Sequence, residues 1–270
     1  MITFDHVSKT YPDGSTAVHD FSLVVPSHNI VSLVGTSGSG KTTLIRMVNR
    51  MTEPTSGQVC IDDHSVMDES AVNLRRRIGY VIQSGGLMPH KTVEANIAVV
   101  STLQGAPCRE ARKNARRIME RVGLDPTLAK RYPHQLSGGQ QQRVGVARAL
   151  ASNPNILLMD EPFGAVDPIV RRELQDELLR LQQELGKTIL FVTHDIDEAF
   201  RLSDSVVILE KGGLISQHGS PSEIMTNPKN DFVASFTGAS NTNRQLTTQT
   251  VNGQTVAVDS YGRSVGVLTS

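Results

Sequence analysis

Short apolar runs bounded by turn residues recur along the chain: "IVSLVG" (30–35), "IGYVIQ" (78–83), "NILLMDE" (155–161), "TILFVTHD" (188–195) and "SVVILEKGG" (205–213). Their apolar positions are consecutive rather than alternate, the pattern of strands covered on both faces. Helical stretches alternate with them, so the chain reads as an α/β domain with a mainly parallel, buried sheet. One helix is marked at both ends: Asp167-Pro168 supplies an N-cap and a proline at the first helical position, and Gly186 ends it. Between them Ile169, Val170, Leu174, Leu178, Leu181 and Leu185 fall on one face.

Residues from about 88 to 153 carry helical pattern with few strand signals, and a helical subdomain is expected there. Within it "REARKNARRIMERV" (109–122) sets Arg109, Arg112, Lys113, Arg116, Arg117 and Arg121 against two Glu. A solvated face over Ala115, Ile118, Met119 and Val122 explains that run more simply than a nucleic-acid contact. After about residue 238 the composition turns to Thr, Gln, Asn and Ser. Asn252-Gly253 lies there between alternating stretches, a hairpin signal, and a second turn is expected at 260–263. This tail reads as a small β appendage or as a piece docked onto something else.

At 270 residues the chain suffices for one large domain, or a domain with an appendage. Lys+Arg and Asp+Glu both number 27, so no chain-wide attraction to nucleic acid or anionic lipid is expected. The start, "MITFDHVSKTYPDG", lacks the pattern of a signal peptide, and no apolar run approaches the ~20 residues that cross a bilayer. A membrane role is therefore expected to come through a protein partner. Cys60 and Cys108, with no Cys/His cluster nearby, read as reduced cytosolic thiols.

The chemistry concentrates where the apolar runs end. "GTSGSGKT" (35–42) has the spacing of a phosphate loop, between a strand and a helix. Gly35, Gly38 and Gly40 let the backbone wrap closely around oxygens, Lys41 reaches β/γ-phosphates, and the Thr42 hydroxyl is placed for Mg²⁺. "ILLMDEP" puts Asp160 and Glu161 at a strand end, where open α/β sheets gather ligands. Asp160 is the candidate Mg²⁺ partner through water; Glu161 is better placed to deprotonate a water. His194 terminates the next apolar run, as either a structural histidine or a γ-phosphate sensor. Gln83 ends "IGYVIQ", and its amide could ligate Mg²⁺ or the attacking water. A second anion cradle, "LSGGQ" (136–140), opens a helix without any lysine, which leaves its phosphate unexplained.

Together these residues resemble the ATP-binding-cassette ATPases of membrane transporters. The resemblance covers residues 1–237 and includes the phosphate loop, Gln83, "LSGGQ", "ILLMDE" (156–161), "GAVD" (164–167) and His194. It implies a P-loop NTPase core with an N-terminal β subdomain, an inserted helical subdomain and a small β-rich C-terminal tail. It implies ATP and Mg²⁺ as cofactors, with ATP held by Tyr11, Gly35, Thr36, Ser37, Gly38, Ser39, Gly40, Lys41, Thr42, Thr43 and Gln83. Tyr11 would stack on adenine, or else is a turn aromatic before Pro12. Glu161 would be the catalytic base, with Lys41 and His194 on the γ-phosphate and Thr42, Gln83 and Asp160 on the metal.

The resemblance also gives the lysine-free cradle an occupant. Leu136, Ser137, Gly138, Gly139 and Gln140 would close over ATP bound by the other subunit of a head-to-tail homodimer or pseudo-dimer, Asp167 communicating between the two sites. The implied partners are integral-membrane permease subunits and, indirectly, an extracytoplasmic substrate-binding protein, with no nucleic acid. The implied place is the cytoplasmic face of the cell membrane, peripherally bound.

Within the family, "MVNRMTEPTSG" (47–57), "GLMPHKTVEANI" (86–97), "FGAVDPIVRRELQDELLRLQ" (163–182) and "THDIDEAFRLSD" (193–204) look like importers of quaternary-amine osmoprotectants such as glycine betaine, choline or carnitine. Methionine and polar amino-acid importers have similar stretches. A soluble ATPase acting on nucleic acid or ribosomes, and a non-hydrolysing adaptor, are the readings from other classes. "TVAVDSYGRSVGVLTS" (255–270) resembles one hairpin of a cystathionine-β-synthase-type repeat, without the surroundings that would complete a pair.

Overall fold

The structure is a computed structural model that describes residues 1–83, 86–164, 166–239, 247–251, 254–259 and 262–267. The chain begins with two antiparallel strands, β1 (Ile2–Thr10) and β2 (Thr16–Val25), whose inward residues include Ile2, Phe4, Phe21 and Val25. β3 (Ile30–Gly35) is buried at every position and feeds α1 (Lys41–Val48). β4 (Ser56–Ile61) and β5 (His64–Ser65) return to the first sheet, which runs β2–β1–β4–β5. Next come α2 (Ala71–Arg77), β6 (Ile78–Val81), α3 (Val93–Leu103), α4 (Cys108–Arg121) and, after two short 3-10 turns, α5 (Gly138–Leu150). β7 (Ile156–Asp160), α6 (Pro168–Leu185), β8 (Thr188–Thr193), α7 (Ile196–Leu202) and β9 (Ser205–Leu209) alternate regularly. β10 (Ile215–Gly219), α8 (Pro221–Thr226), α9 (Asp231–Thr237) and a three-stranded meander of β11 (Thr247–Val251), β12 (Gln254–Val258) and β13 (Ser264–Val267) follow.

The central sheet runs β10–β9–β3–β8–β7–β6, parallel throughout except for β10 at the edge. Period-2 side-chain alternation divides its residues between two apolar layers. Leu157, Met159, Ile189 and Phe191 pack with the helices α3 to α6, while Leu158, Leu190 and Val192 pack with α1 and the N-terminal sheet. Both faces are covered, which is why the strands read as unbroken apolar runs. The α/β expectation with its mainly parallel sheet is met.

α6 matches its sequence limits. The Asp167 carboxylate accepts from the Ile169 N–H at 3.0 Å, and Gly186 closes the helix in the left-handed region at φ 56°. A cap of this kind is worth about 1 kcal/mol. Leu174, Leu178 and Leu181 are buried as expected, but Ile169 is 74% exposed. α4 turns Ala111, Ala115, Ile118 and Met119 inward and its arginines outward, with Arg116 donating to Glu94 at 2.8 Å, so its cations form a solvated face.

Three element ends differ from the sequence reading. The 78–83 strand stops at Val81, the 205–213 strand stops at Leu209 with a 3-10 turn over Lys211–Gly213, and the helix expected over "TTLIRMVNRM" (42–51) stops at Val48. β11 and β12 pair antiparallel with Val251 opposite Gln254, while Asn252-Gly253 and Ser260-Tyr261 lie outside the described residues.

Candidate active site

Parallel register brings four loops to one rim. β3, β8, β7 and β6 are consecutive neighbours, with Val34 beside Thr193, Val192 beside Asp160 and Met159 beside Val81. Their carboxyl ends therefore deliver the 35–42 loop, His194, Asp160-Glu161 and Gln83 side by side.

The loop ends at Gly40, the N-cap of α1, with φ +83° and no side-chain cap. A Cβ at Gly40 would lie 2.6 Å from the Ala17 carbonyl oxygen, so only glycine fits both the space and the left-handed backbone. No acidic residue stands in the first turn of α1, and the open N–H groups make an anion site. Lys41 is folded into this loop, donating to the Gly35 carbonyl at 2.8 Å, the Thr36 carbonyl at 2.9 Å and the Ser39 hydroxyl at 3.1 Å. Burial pushes its ammonium below the ordinary lysine range, opposed by the Glu161 and Asp160 carboxylates. The loop's own oxygens thus hold a cation ready for an anion among these N–H groups.

Behind the loop, the Thr42 hydroxyl donates to Asp160 Oδ1 at 3.2 Å, and the Tyr80 hydroxyl to Oδ2 at 3.4 Å. Burial raises the Asp160 carboxyl, while the Thr42 hydrogen bond and the Arg46 charge oppose that rise. A hydroxyl and a carboxylate side by side are hard oxygen donors. Among the described residues no group of three or more His, Cys, Asp or Glu converges on a metal position. A sparse set of this kind suits Mg²⁺, which keeps waters and phosphate oxygens in its shell.

Glu161 turns away from the strand at φ 45°, a left-handed conformation that costs roughly 1–2 kcal/mol in a non-glycine residue, and its N–H donates to the Val192 carbonyl at 2.8 Å. Its Oε2 accepts from Gln83 Nε2 at 2.8 Å and lies 3.3 Å from His194 Nδ1. Three residues from three loops meet on one carboxylate oxygen. Gln83 sits two residues beyond β6 in an exposed turn, not at the strand's end. Tyr11 stands at the loop's flank, 37% exposed, with its hydroxyl 3.3 Å from Thr43 Oγ1 and Lys9 Nζ 5.5 Å from its ring centroid.

The 136–140 stretch starts α5. Ser137 is its N-cap, accepting from the Gln140 N–H at 3.2 Å, and the Gln140 side chain accepts from the Ser137 N–H at 3.0 Å. In this reciprocal box the Ser137 backbone N–H is taken, while its hydroxyl proton has no acceptor among the described residues. Ser137 and Gly138 are exposed, Leu136 is buried, and Gly139 packs so tightly on α6 that a Cβ would lie 2.5 Å from Val170 Cγ1. Among the described residues no hydrogen bond joins this stretch to the 35–43 loop. Within one chain, then, the rim gathers the first cradle with Asp160, Glu161, His194 and Gln83, and the second cradle is separate.

Sequence reading missed Tyr80 and Arg46 beside Asp160, and the Arg171, Gln175 and Glu198 side chains around the His194 loop. None belongs to a short motif. Only the register of β6 against β7 and the turn of α6 reveal them. Ser84, Gly85 and Ala165, from the segments after Gln83 and before Asp167, lie outside the described residues.

A family profile described as "ABC transporter" matches residues 18–164. The "Choline transport ATP-binding protein OpuBA" of Bacillus subtilis is 50% identical over 238 residues, 88% of this chain and 62% of that protein. The "Glycine betaine uptake system ATP-binding protein YehX" of Escherichia coli is 48% identical over 240 residues, 89% of this chain and 77% of that protein. The chain thus spans under two thirds of the length of several relatives it matches. A solved structure described as a dimeric post-hydrolysis state of the ATP-binding cassette MJ0796 bound to ADP and Pi superposes with a TM-score of 0.75 at 35% identity, covering 82% of this chain and 99% of that one. That likeness supports nucleotide binding.

Proposed function

The chain belongs to the ABC transporter family, and on that premise we propose that it is the ATP-hydrolysing subunit of an importer for a small quaternary-amine solute such as glycine betaine, choline or carnitine. The observation that carries the hydrolytic part is the meeting of Gln83, Glu161 and His194 beside Lys41, Thr42 and Asp160 at the carboxyl ends of neighbouring parallel strands. The names of the relatives support the solute class. Residues 1–237 form the nucleotide-binding unit, with a helical insertion at about 88–153, and 238–270 are an appended β element.

The N–H groups of the loop and Lys41 hold the triphosphate, with Tyr11 against the adenine. Thr42, Asp160 and Gln83 hold Mg²⁺, which when bound neutralises charge on the phosphate oxygens. Glu161 accepts a proton from a water aligned with the γ-phosphate, and His194 donates to that phosphate. Both must leave their mutual contact to do so, and Gln83 must release the carboxylate oxygen it now occupies. Two copies close head to tail, each giving Ser137, Gly138 and Gly139 to the other's γ-phosphate, with Asp167 between the sites. ATP favours closure because it contacts both chains only when they are closed.

Permease subunits and an extracytoplasmic binding protein complete the importer at the cytoplasmic face of the membrane. Among the described residues no helix is long and apolar enough to cross a bilayer.

Two measurements test this reading. Deleting the gene should abolish uptake of labelled glycine betaine, choline or carnitine at high osmolarity. Wild type should restore uptake and Glu161→Gln should not. Uptake that survives deletion, with methionine uptake lost instead, would reassign the solute. Tyr11→Ala should weaken ATP by roughly tenfold at most in calorimetric titration, since an aromatic stack is worth about 0.5–1.5 kcal/mol. An unchanged affinity would leave Tyr11 as a turn aromatic.

A further inference from the structure

The first two turns of α6 touch three of the segments assigned above. Asp167 caps the helix, Gly139 of the second cradle packs on Val170, and the guanidinium of Arg171 reaches both the segment before α6 and the loop after β8. Arg171 donates to the Val166 carbonyl at 3.5 Å and pairs with Asp195 at 3.7 Å. One turn further along α6, the Gln175 amide donates to Glu198 Oε1 at 3.1 Å.

Glu198 is 7% exposed on α7, and its other oxygen accepts from the Thr193 hydroxyl at 2.5 Å. That hydroxyl also accepts from the Asp195 N–H at 3.0 Å, and Asp195 caps α7 by accepting from the N–H groups of Asp197 and Glu198. The residues on either side of His194 are therefore both tied to α6, through a chain whose inner members Gln175, Glu198 and Thr193 are buried. Burial raises the Glu198 carboxyl, and the Thr193 and Gln175 hydrogen bonds draw it back. A buried carboxylate of this kind is costly unless its partners are satisfied, so the chain is held to one geometry. Nothing in the chemistry proposed above uses it.

We propose that Gln175 and Glu198 are positioning residues for His194, forming with α6 a rigid strut through which movement of Gly139 and Asp167 at the partner's nucleotide resets His194 in the same chain's own site. The inference rests on the two-chain hydrolysis reading. It adds the intrachain half of the path: the nucleotide in one site is felt at Gly139 and Asp167, passes along α6, and reaches His194 through Arg171–Asp195 and Gln175–Glu198–Thr193. Packed, hydrogen-bonded elements can carry such coupling, but only a measured coupling establishes it.

The experiment uses the full chain and steady-state phosphate release as a function of ATP. Gln175→Met keeps the volume and removes the donor. It should lower kcat about 10- to 100-fold, the scale of a misplaced catalytic group, while the ATP KM and ADP affinity stay within about twofold. The Hill coefficient for ATP should fall toward one. Glu198→Met should do the same, because it removes the acceptor of both hydrogen bonds at similar volume. Combining Gln175→Glu with Glu198→Gln reverses the hydrogen bond, with Gln at 198 donating to Glu at 175 and still accepting from Thr193. That double variant should return kcat to within about threefold of wild type.

A merely structural role would show as lost melting temperature with kcat per folded chain and Hill coefficient unchanged, and would overturn the proposal. So would a reversed pair no better than either single variant. If Gln175→Met does not fold, the reversed pair decides alone. Wild type without phosphate release, or Glu161→Gln as active as wild type, would instead defeat the hydrolysis reading beneath, and is measured first.

Discussion

Glu161→Gln should slow phosphate release about 10²–10⁴-fold while leaving ATP affinity within about twofold, the signature of a lost general base. The expectation rests on where the carboxylate is held. Glu161 follows Asp160 by one residue, and its left-handed backbone swings the side chain out of the strand line to meet Gln83 and His194. Gln keeps the shape, still accepts from Gln83, and removes only the capacity to take a proton. Lys41 and the α1 N-terminus, proposed to hold the triphosphate, are untouched by the substitution. ATP should therefore accumulate unhydrolysed between two chains, observable as an ATP-dependent dimer in size-exclusion chromatography. A loss of less than about tenfold would assign the proton to another group. In that case His194, on the same carboxylate oxygen, is the next to substitute.

Sequence and structure agree best where one physical signal dominates. β3 and β8 are legible because burial on both faces forces continuous apolar runs, and α6 because a cap, a proline and a left-handed glycine mark its ends. The site residues are legible because each ends such a run, and a parallel sheet sends all those ends to one rim. Ends were misjudged where an apolar residue outlasts its strand, as Ile82 does after β6. The N-terminal sheet was expected only through the family resemblance, since β1 and β2 mix buried with exposed residues across register shifts that blur any alternation. Gln175 and Glu198 were invisible because long-range polar pairs leave no period in a sequence. The Ser137–Gln140 box spans only three residues, yet the glycines between them drew attention to anion binding instead.

Ser137→Arg and Lys41→Ala should each abolish hydrolysis in homodimers, and mixing the two inactive proteins should restore it. The lysine-free cradle is the reason. Ser137 and Gly138 stand exposed at the start of α5, apart from the loop that holds Lys41, so on the two-chain reading proposed above a chain needs its partner's cradle. Arginine at the exposed position 137 costs the cap, about 1 kcal/mol, and fills the cradle without disturbing the core. In a mixed dimer, the Lys41 of the Ser137→Arg chain meets the intact cradle of the Lys41→Ala chain, leaving one whole site. With random pairing half the dimers are mixed and each has one of two sites, so about a quarter of wild-type activity should return if the sites act independently. The control places both substitutions in one chain and mixes it with wild type. There every mixed dimer has two broken sites, and only wild-type pairs contribute. Those pairs are about a quarter of the dimers, so the control should also show about a quarter of wild-type activity. No recovery in the first mixture, with about half of wild-type activity in the control, would mean that each chain hydrolyses alone, and the cradle at 136–140 would then need another ligand.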